Sequence, residues 1–196
     1  MICHDRKCIF IHIQRCAGTS VEYWLYGDDW WRANPDSKHL TARQARSRYA
    51  EYWDEYFTFS IVREPVGRMM SCLKYDEHFG LSRKRNGDVN FDGYHALFGA
   101  DVIVEFDHRF YTPNDVHHDG HKPGQIYGNI LDTPVDFVAR FENLATDMAR
   151  VQHQLGEEKP FNMHKEKSTE TAKVTPATRR VIETLYAEDI ALFDLG

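Results

Sequence analysis

Residues 9–20 read Ile9-Phe10-Ile11-His12-Ile13-Gln14-Arg15-Cys16-Ala17-Gly18-Thr19-Ser20: an apolar stretch followed by one cation, one glycine and two hydroxyls. An apolar strand, a short loop and the start of a helix are the parts of an anion cradle. Gly18 lets the backbone approach a ligand closely. Thr19, Ser20 and the first amides of the next helix can then donate to phosphate oxygens. The loop that binds ATP or GTP ends Gly-Lys-Ser/Thr, and no Gly-Lys pair occurs anywhere in this chain. That absence argues against an ordinary nucleotide triphosphatase.

A second strand–turn–helix pattern spans Tyr56 to Tyr75, with Phe57-Thr58-Phe59-Ser60-Ile61-Val62 leading into Arg63-Glu64-Pro65-Val66-Gly67-Arg68-Met69-Met70-Ser71. Pro65 suits the first turn of a helix, where its missing amide hydrogen is not needed. Arg63 then stands at the carboxyl end of a strand, where ligands of open α/β sheets collect, and Ser71 lies two turns along the helix. A guanidinium fork matches a phosphate with two hydrogen bonds. The alternative role for Arg63 is structural, pairing with a nearby carboxylate to pin the loop.

These two segments together resemble the sulfotransferases that use 3′-phosphoadenosine-5′-phosphosulfate (PAPS), and in particular the compact carbohydrate type. In that family the first loop usually reads Pro-Lys-x-x-Gly-Thr-Ser and grips the 5′-phosphosulfate. The second reads Arg-Asp/Asn-Pro-x-x-Arg-x-x-Ser and grips the 3′-phosphate. Here Arg63 to Ser71 fits the second pattern with Glu64 for the Asp or Asn, while Gln14 and Arg15 replace the Pro and Lys of the first. Arg15 keeps the positive charge expected beside the bridging oxygen but does not readily give up a proton. The resemblance implies donor contacts from Arg15, Cys16, Ala17, Gly18, Thr19, Ser20, Arg63 and Ser71, PAP as product, and no metal. It also implies a three-layer α/β sandwich around a central parallel sheet, the P-loop nucleotide-kinase-like sulfotransferase fold.

The likeness extends to Val135-Asp136-Phe137-Val138-Ala139-Arg140-Phe141-Glu142-Asn143-Leu144, a strand and the corner that starts a helix. Arg140 and Glu142 read there as structural, because such a corner needs polar groups for its unpaired backbone. His164-Lys165-Glu166-Lys167-Ser168 is a weaker match to the family's His-x-Asn-x-Ser segment.

For a base that takes the acceptor's proton, His39 in Lys38-His39-Leu40-Thr41 is the leading candidate, with Arg15 as the cation at the leaving oxygen. In some relatives a His in this interval serves as base, and a neutral imidazole accepts a proton near neutrality. The plainer role for His39 is a helix-entry residue that binds only backbone. His12 alternates with Ile11 and Ile13 and is expected to face a neighbouring core layer without a catalytic role. The cluster His117, His118 and His121 lacks the regular spacing of a zinc motif and reads as a solvated loop.

Composition fits one globular domain over residues 1–196, since 42% hydrophobic and 28% charged residues are ordinary usage. The apolar runs are strand-sized, too short to span a bilayer, and the first residues lack the apolar core of a secretory signal. A cytoplasmic enzyme without a membrane partner is expected. Cys3, Cys8, Cys16 and Cys72 are too few and too scattered for a disulfide framework or paired zinc ligands, and read as reduced thiols. Cys16 is either a reactive thiol in the anion loop or a small filler.

Strands are expected at Cys8 to Gln14, Tyr56 to Val62 and Val135 to Ala139. Helices are expected at Thr19 to Tyr26, Ala42 to Tyr52, Pro65 to Tyr75, Leu144 to Leu155 and Pro176 to Leu192. Thr41 and Gln44 fit a capping box, and Thr175 fits an N-cap before Pro176. The acceptor is less legible. Tyr23, Trp24, Tyr26, Trp30 and Trp31 can stack on sugar rings or fill the core. A net charge of −6 argues against nucleic acid or a long polyanionic glycan, leaving a small molecule or oligosaccharide. Two other classes stay open: a nucleotide-dependent phosphotransferase sharing the loop, and a PAP-binding module without catalysis.

Overall fold

Among the described residues four short strands form one sheet in the order β1 (Ile2–Cys3), β2 (Cys8–Ile11), β3 (Phe57–Val62) and β4 (Phe137–Arg140). The computed structural model describes residues 1–68, 71, 126–162 and 176–195. They group into two compact units, with residues 1–63 and 127–162 in the first and 64–68, 71, 126 and 176–195 in the second.

In the first unit β2 pairs parallel with β3, and β3 parallel with β4, as strands separated by helices require. β1 pairs antiparallel with β2, so the sheet is mixed rather than wholly parallel. A two-residue strand turning back on its neighbour leaves no alternation for the sequence to display. Every residue of β2 is buried, as is β3 from Thr58 onward, the near-continuous burial of strands covered on both faces. Phe10 stands opposite Phe59 in the ladder with their rings 5.0 Å apart. Polar side chains inside the sheet are bonded: Ser60 Oγ donates to the Ile11 carbonyl at 2.8 Å, and Thr58 and Asp136 bond each other reciprocally.

The helices of this unit are α1 (Gly18–Leu25), α2 (Trp30–Ala33), α3 (Ala42–Arg48), α4 (Ala50–Trp53), α5 (Tyr127–Ile130) and α6 (Leu144–Leu155). The capping box is present: Gln44 N donates to Thr41 Oγ1, and Gln44 Oε1 accepts from Thr41 N. Asp132 reinforces the same helix start by accepting from Thr41 Oγ1 and Arg43 N. The single helix expected from Ala42 to Tyr52 breaks at Tyr49, whose φ of −115° and ψ of 33° leave the helical region. α6 matches its expected bounds, and Gly156 at φ 61° ends it in the left-handed conformation.

In the second unit residues 65–68 and 71 are helical. α7 (Pro176–Leu185) and α8 (Ala187–Phe193) replace the one helix expected from Pro176 to Leu192. The break falls on Tyr186, which is buried and whose hydroxyl lies 3.5 Å from Arg68 Nη1. Neither helix break carries Gly or Pro, so periodicity alone extends both helices too far. Thr175, Cys72, the His117/His118/His121 cluster and the His164–Ser168 segment lie outside the described residues.

Candidate functional site

The loop expected to be an anion cradle joins β2 to α1 at the carboxyl end of a parallel strand. Residues 14–17 form the turn and Gly18 opens the helix. Arg15 and Ala17 both take φ of 63°, with Cys16 between them outside that region. A non-glycine residue held at positive φ costs about 1–3 kcal/mol and persists only when its surroundings impose it. α1 has no side-chain cap and no acidic residue in its first turn. Among the described residues the amides of Gly18 and Thr19 meet no acceptor. Thr19 is exposed and Ser20 buried.

Arg63 braces this turn. It stands one residue beyond β3, next to β2 in the sheet, and its Nη1 donates to the Arg15 carbonyl at 3.4 Å. Its guanidinium lies 4.3 Å over the Phe141 ring, at the corner that leaves β4. Its own backbone is clamped by Tyr127, whose hydroxyl accepts from Arg63 N and donates to Arg63 O. Among the described residues no carboxylate pairs with Arg63, whose side-chain partners there are the Arg15 carbonyl and the Phe141 ring. Parallel pairing of three strands thus brings Arg15, Arg63 and Phe141 together from widely separated parts of the chain. Cys16 is buried, with Sγ 3.5 Å from the Gln14 carbonyl and 4.0 Å from the Tyr127 hydroxyl, the position of a small filler.

Beneath the loop lies a buried polar cluster that the sequence did not reveal. Glu22 sits one helical turn after Gly18 on α1, so both face the same way. His12 packs into that face, and its Nδ1 donates to Glu22 Oε1 at 2.6 Å. Glu22 Oε2 accepts from Lys38 Nζ at 2.8 Å and from Trp30 N at 3.1 Å. Lys38 also donates to Asp29 Oδ1. His12, Glu22 and Lys38 are all buried, and the carboxylate is shared between them. A Cβ added at Gly18 would fall 2.0 Å from His12 Nε2. Glycine at this position is therefore required by the imidazole beside it, and its φ is not in the left-handed region.

His39 is packed against the same cluster, its ring edge-on to His12 at a centroid distance of 4.5 Å. Its Nδ1 donates to the His12 carbonyl at 3.2 Å, which places the proton on Nδ1 and the lone pair on Nε2. Burial, with the neighbouring His12, holds His39 well below the usual imidazole range. Burial and the Lys38 cation do the same for His12, so both rings are neutral.

Ser71 belongs to the second unit, where it is helical and half-buried. There Glu64, the residue that departs from the Asp or Asn pattern, caps the helix beginning at Pro65. Its oxygens accept from Val66 N at 2.9 Å and Gly67 N at 2.7 Å. Arg140 and Glu142 flank Phe141 at the β4 corner, and Arg140 N donates to Asp147 Oδ2 at 2.8 Å. Among the described residues no helix is long and apolar enough to cross a membrane.

No protein-family model, curated protein or solved structure matches this chain. The chemistry available to it follows from its own residues.

Proposed function

We propose that the chain is a PAPS-dependent sulfotransferase that moves a sulfuryl group to a hydroxyl, or an amine, of a saccharide-type acceptor. In this reading its α/β fold is the three-layer sulfotransferase sandwich. The observation that carries the proposal is the strained β2–α1 turn, held by Arg63 and opening onto an uncapped helix N-terminus. Backbone strain held in place by a cation from the adjacent strand needs a use, and binding an anionic phosphosulfate supplies one.

PAPS supplies an activated sulfuryl group on a good leaving phosphate. The amides of Gly18 and Thr19 and the cation of Arg15 stabilise charge on the leaving side, the electrostatic task that dominates such transfers. Arg63 contributes its remaining donors to the nucleotide's phosphate. His39, kept neutral and carrying its lone pair on Nε2, takes the proton from the acceptor. The acceptor oxygen bonds to sulfur as the bridging S–O bond breaks, and PAP leaves.

Transfer of radiolabelled sulfate from PAPS to a panel of oligosaccharides and small alcohols tests the reading. Labelled product supports it. Tight binding of ATP with magnesium and none of PAP would favour a phosphotransferase. PAP binding with no transfer to any acceptor would favour a nucleotide-binding module.

A further inference from the structure

Outside the loop and its buried cluster, one pair of chemically reactive side chains has no role in the mechanism above. Cys3 on β1 and Cys8 on β2 are direct cross-strand partners, and both are free thiols. The ladder fixes their geometry. Met1 and Phe10 exchange both backbone hydrogen bonds, at 2.8 and 2.9 Å, and Ile2 faces Ile9 next, so Cys3 and Cys8 fall at a hydrogen-bonded position. Such pairs have Cα atoms about 5.5 Å apart, inside the range a disulfide spans. At such positions Cβ atoms generally stand farther apart than at non-hydrogen-bonded ones, so a disulfide formed there is strained and easier to reduce. Only residues 4–7 separate the two strands, so closing the bond removes little freedom from the unfolded chain.

We propose that Cys3 and Cys8 form a reversible redox pair, a cross-strand disulfide made and broken by exchange with small-molecule disulfides such as oxidised glutathione. Cys3 is the attacking sulfur. Both thiols are buried, but Cys3, at the base of an exposed turn with its Sγ 3.8 Å from the Leu25 carbonyl, keeps 8% exposure, whereas Cys8 is wholly enclosed in the sheet. The adjoining Cys8 thiol lowers Cys3 to about 6, which favours its thiolate, while Cys8 is pushed up by the same interaction and by burial. The Cys3 thiolate attacks one glutathione sulfur, the glutathione S–S bond breaks, and one glutathione leaves and is protonated. The Cys8 sulfur then attacks the mixed disulfide at Cys3, its proton going to the second departing glutathione. Two protein thiols are oxidised and one glutathione disulfide is reduced to two thiols.

The full chain, equilibrated in mixtures of reduced and oxidised glutathione, acid-quenched and treated with N-ethylmaleimide before trypsin, tests this. Arg6 and Lys7 lie between the two cysteines, so the disulfide joins peptide Met1–Arg6 to peptide Cys8–Arg15, which excludes Cys16. The expected result is that linked pair, losing two alkylatable thiols in oxidising mixtures and regaining them with dithiothreitol. The same outcome is expected in a Cys16→Ser, Cys72→Ser double variant. Full alkylation of Cys3 and Cys8 in the most oxidising mixture would overturn the proposal. So would glutathione retained on Cys3 with Cys8 free, or Cys8 joined to Cys16 or Cys72.

Discussion

Gly18→Ala is the substitution whose effect the structure fixes most closely. The new methyl carbon would meet His12 Nε2 at 2.0 Å, far inside contact distance. An imidazole can swing aside cheaply when it is loose, but this one is tied to Glu22 at 2.6 Å and wedged edge-on against His39. Keeping the ring in place overpacks the site, at about 1–3 kcal/mol. Moving it breaks a buried hydrogen bond to a charged group, at about 1.5–3 kcal/mol, and leaves Glu22 with Lys38 and the Trp30 amide alone. Alanine's better helix propensity returns at most about 1 kcal/mol. The net loss expected is about 0.5–2 kcal/mol, read as a lowered midpoint in urea unfolding with unchanged slope. In a His12→Ala background the same change should cost less than about 0.5 kcal/mol, because the obstacle has gone. A Gly18→Ala variant as stable as wild type, or an equal loss in both backgrounds, would refute the reasoning.

Glu22→Gln leaves Lys38 buried with only the partly exposed Asp29 as a charge partner, and should destabilise the chain by about 3–5 kcal/mol in the same urea assay. His39→Ala should leave PAP affinity within about twofold while turnover falls about 10²- to 10⁴-fold, measured by labelled sulfate transfer. Undiminished turnover removes His39 from the mechanism. The neutral imidazoles of His12 and His39 also set a pH dependence. Their folded pKa values lie below the unfolded value of about 6.5, so the unfolded chain takes up protons that the folded chain does not. Stability from this source is whole above about pH 6.5 and falls on acidification, by up to about 1.4 kcal/mol per pH unit for each ring. Urea midpoints at several pH values check this, and a midpoint that rises with acid contradicts it.

Much of the framework was legible because apolar runs and caps are local signals. β2, β3 and β4 were expected within a few residues, and α6 was found at its full length because Leu144 opens an amphipathic run that Gly156 closes. The β1 hairpin and the breaks at Tyr49 and Tyr186 escaped because none of them alters periodicity or carries Gly or Pro. The buried cluster escaped for a different reason. Alternation showed that His12 points inward, yet not that Glu22 and Lys38 meet it there, since that depends on α1 and the Lys38 segment packing over β2. One sequence signal was available: a glycine four residues before the one charged residue of α1, Glu22. Phe141 under Arg63 had no local signal, because the contact exists only once β4 lies beside β3.

The central claim is that the Arg63-braced loop binds an adenosine bisphosphate. Calorimetric titration of the full chain and of Arg63→Ala with PAP tests it most directly. Saturable binding to wild type, weakened about 10- to 100-fold in Arg63→Ala, is the expected result, matching one charge-assisted hydrogen-bonded contact. No heat with wild type, or equal affinity in the two proteins, would contradict it.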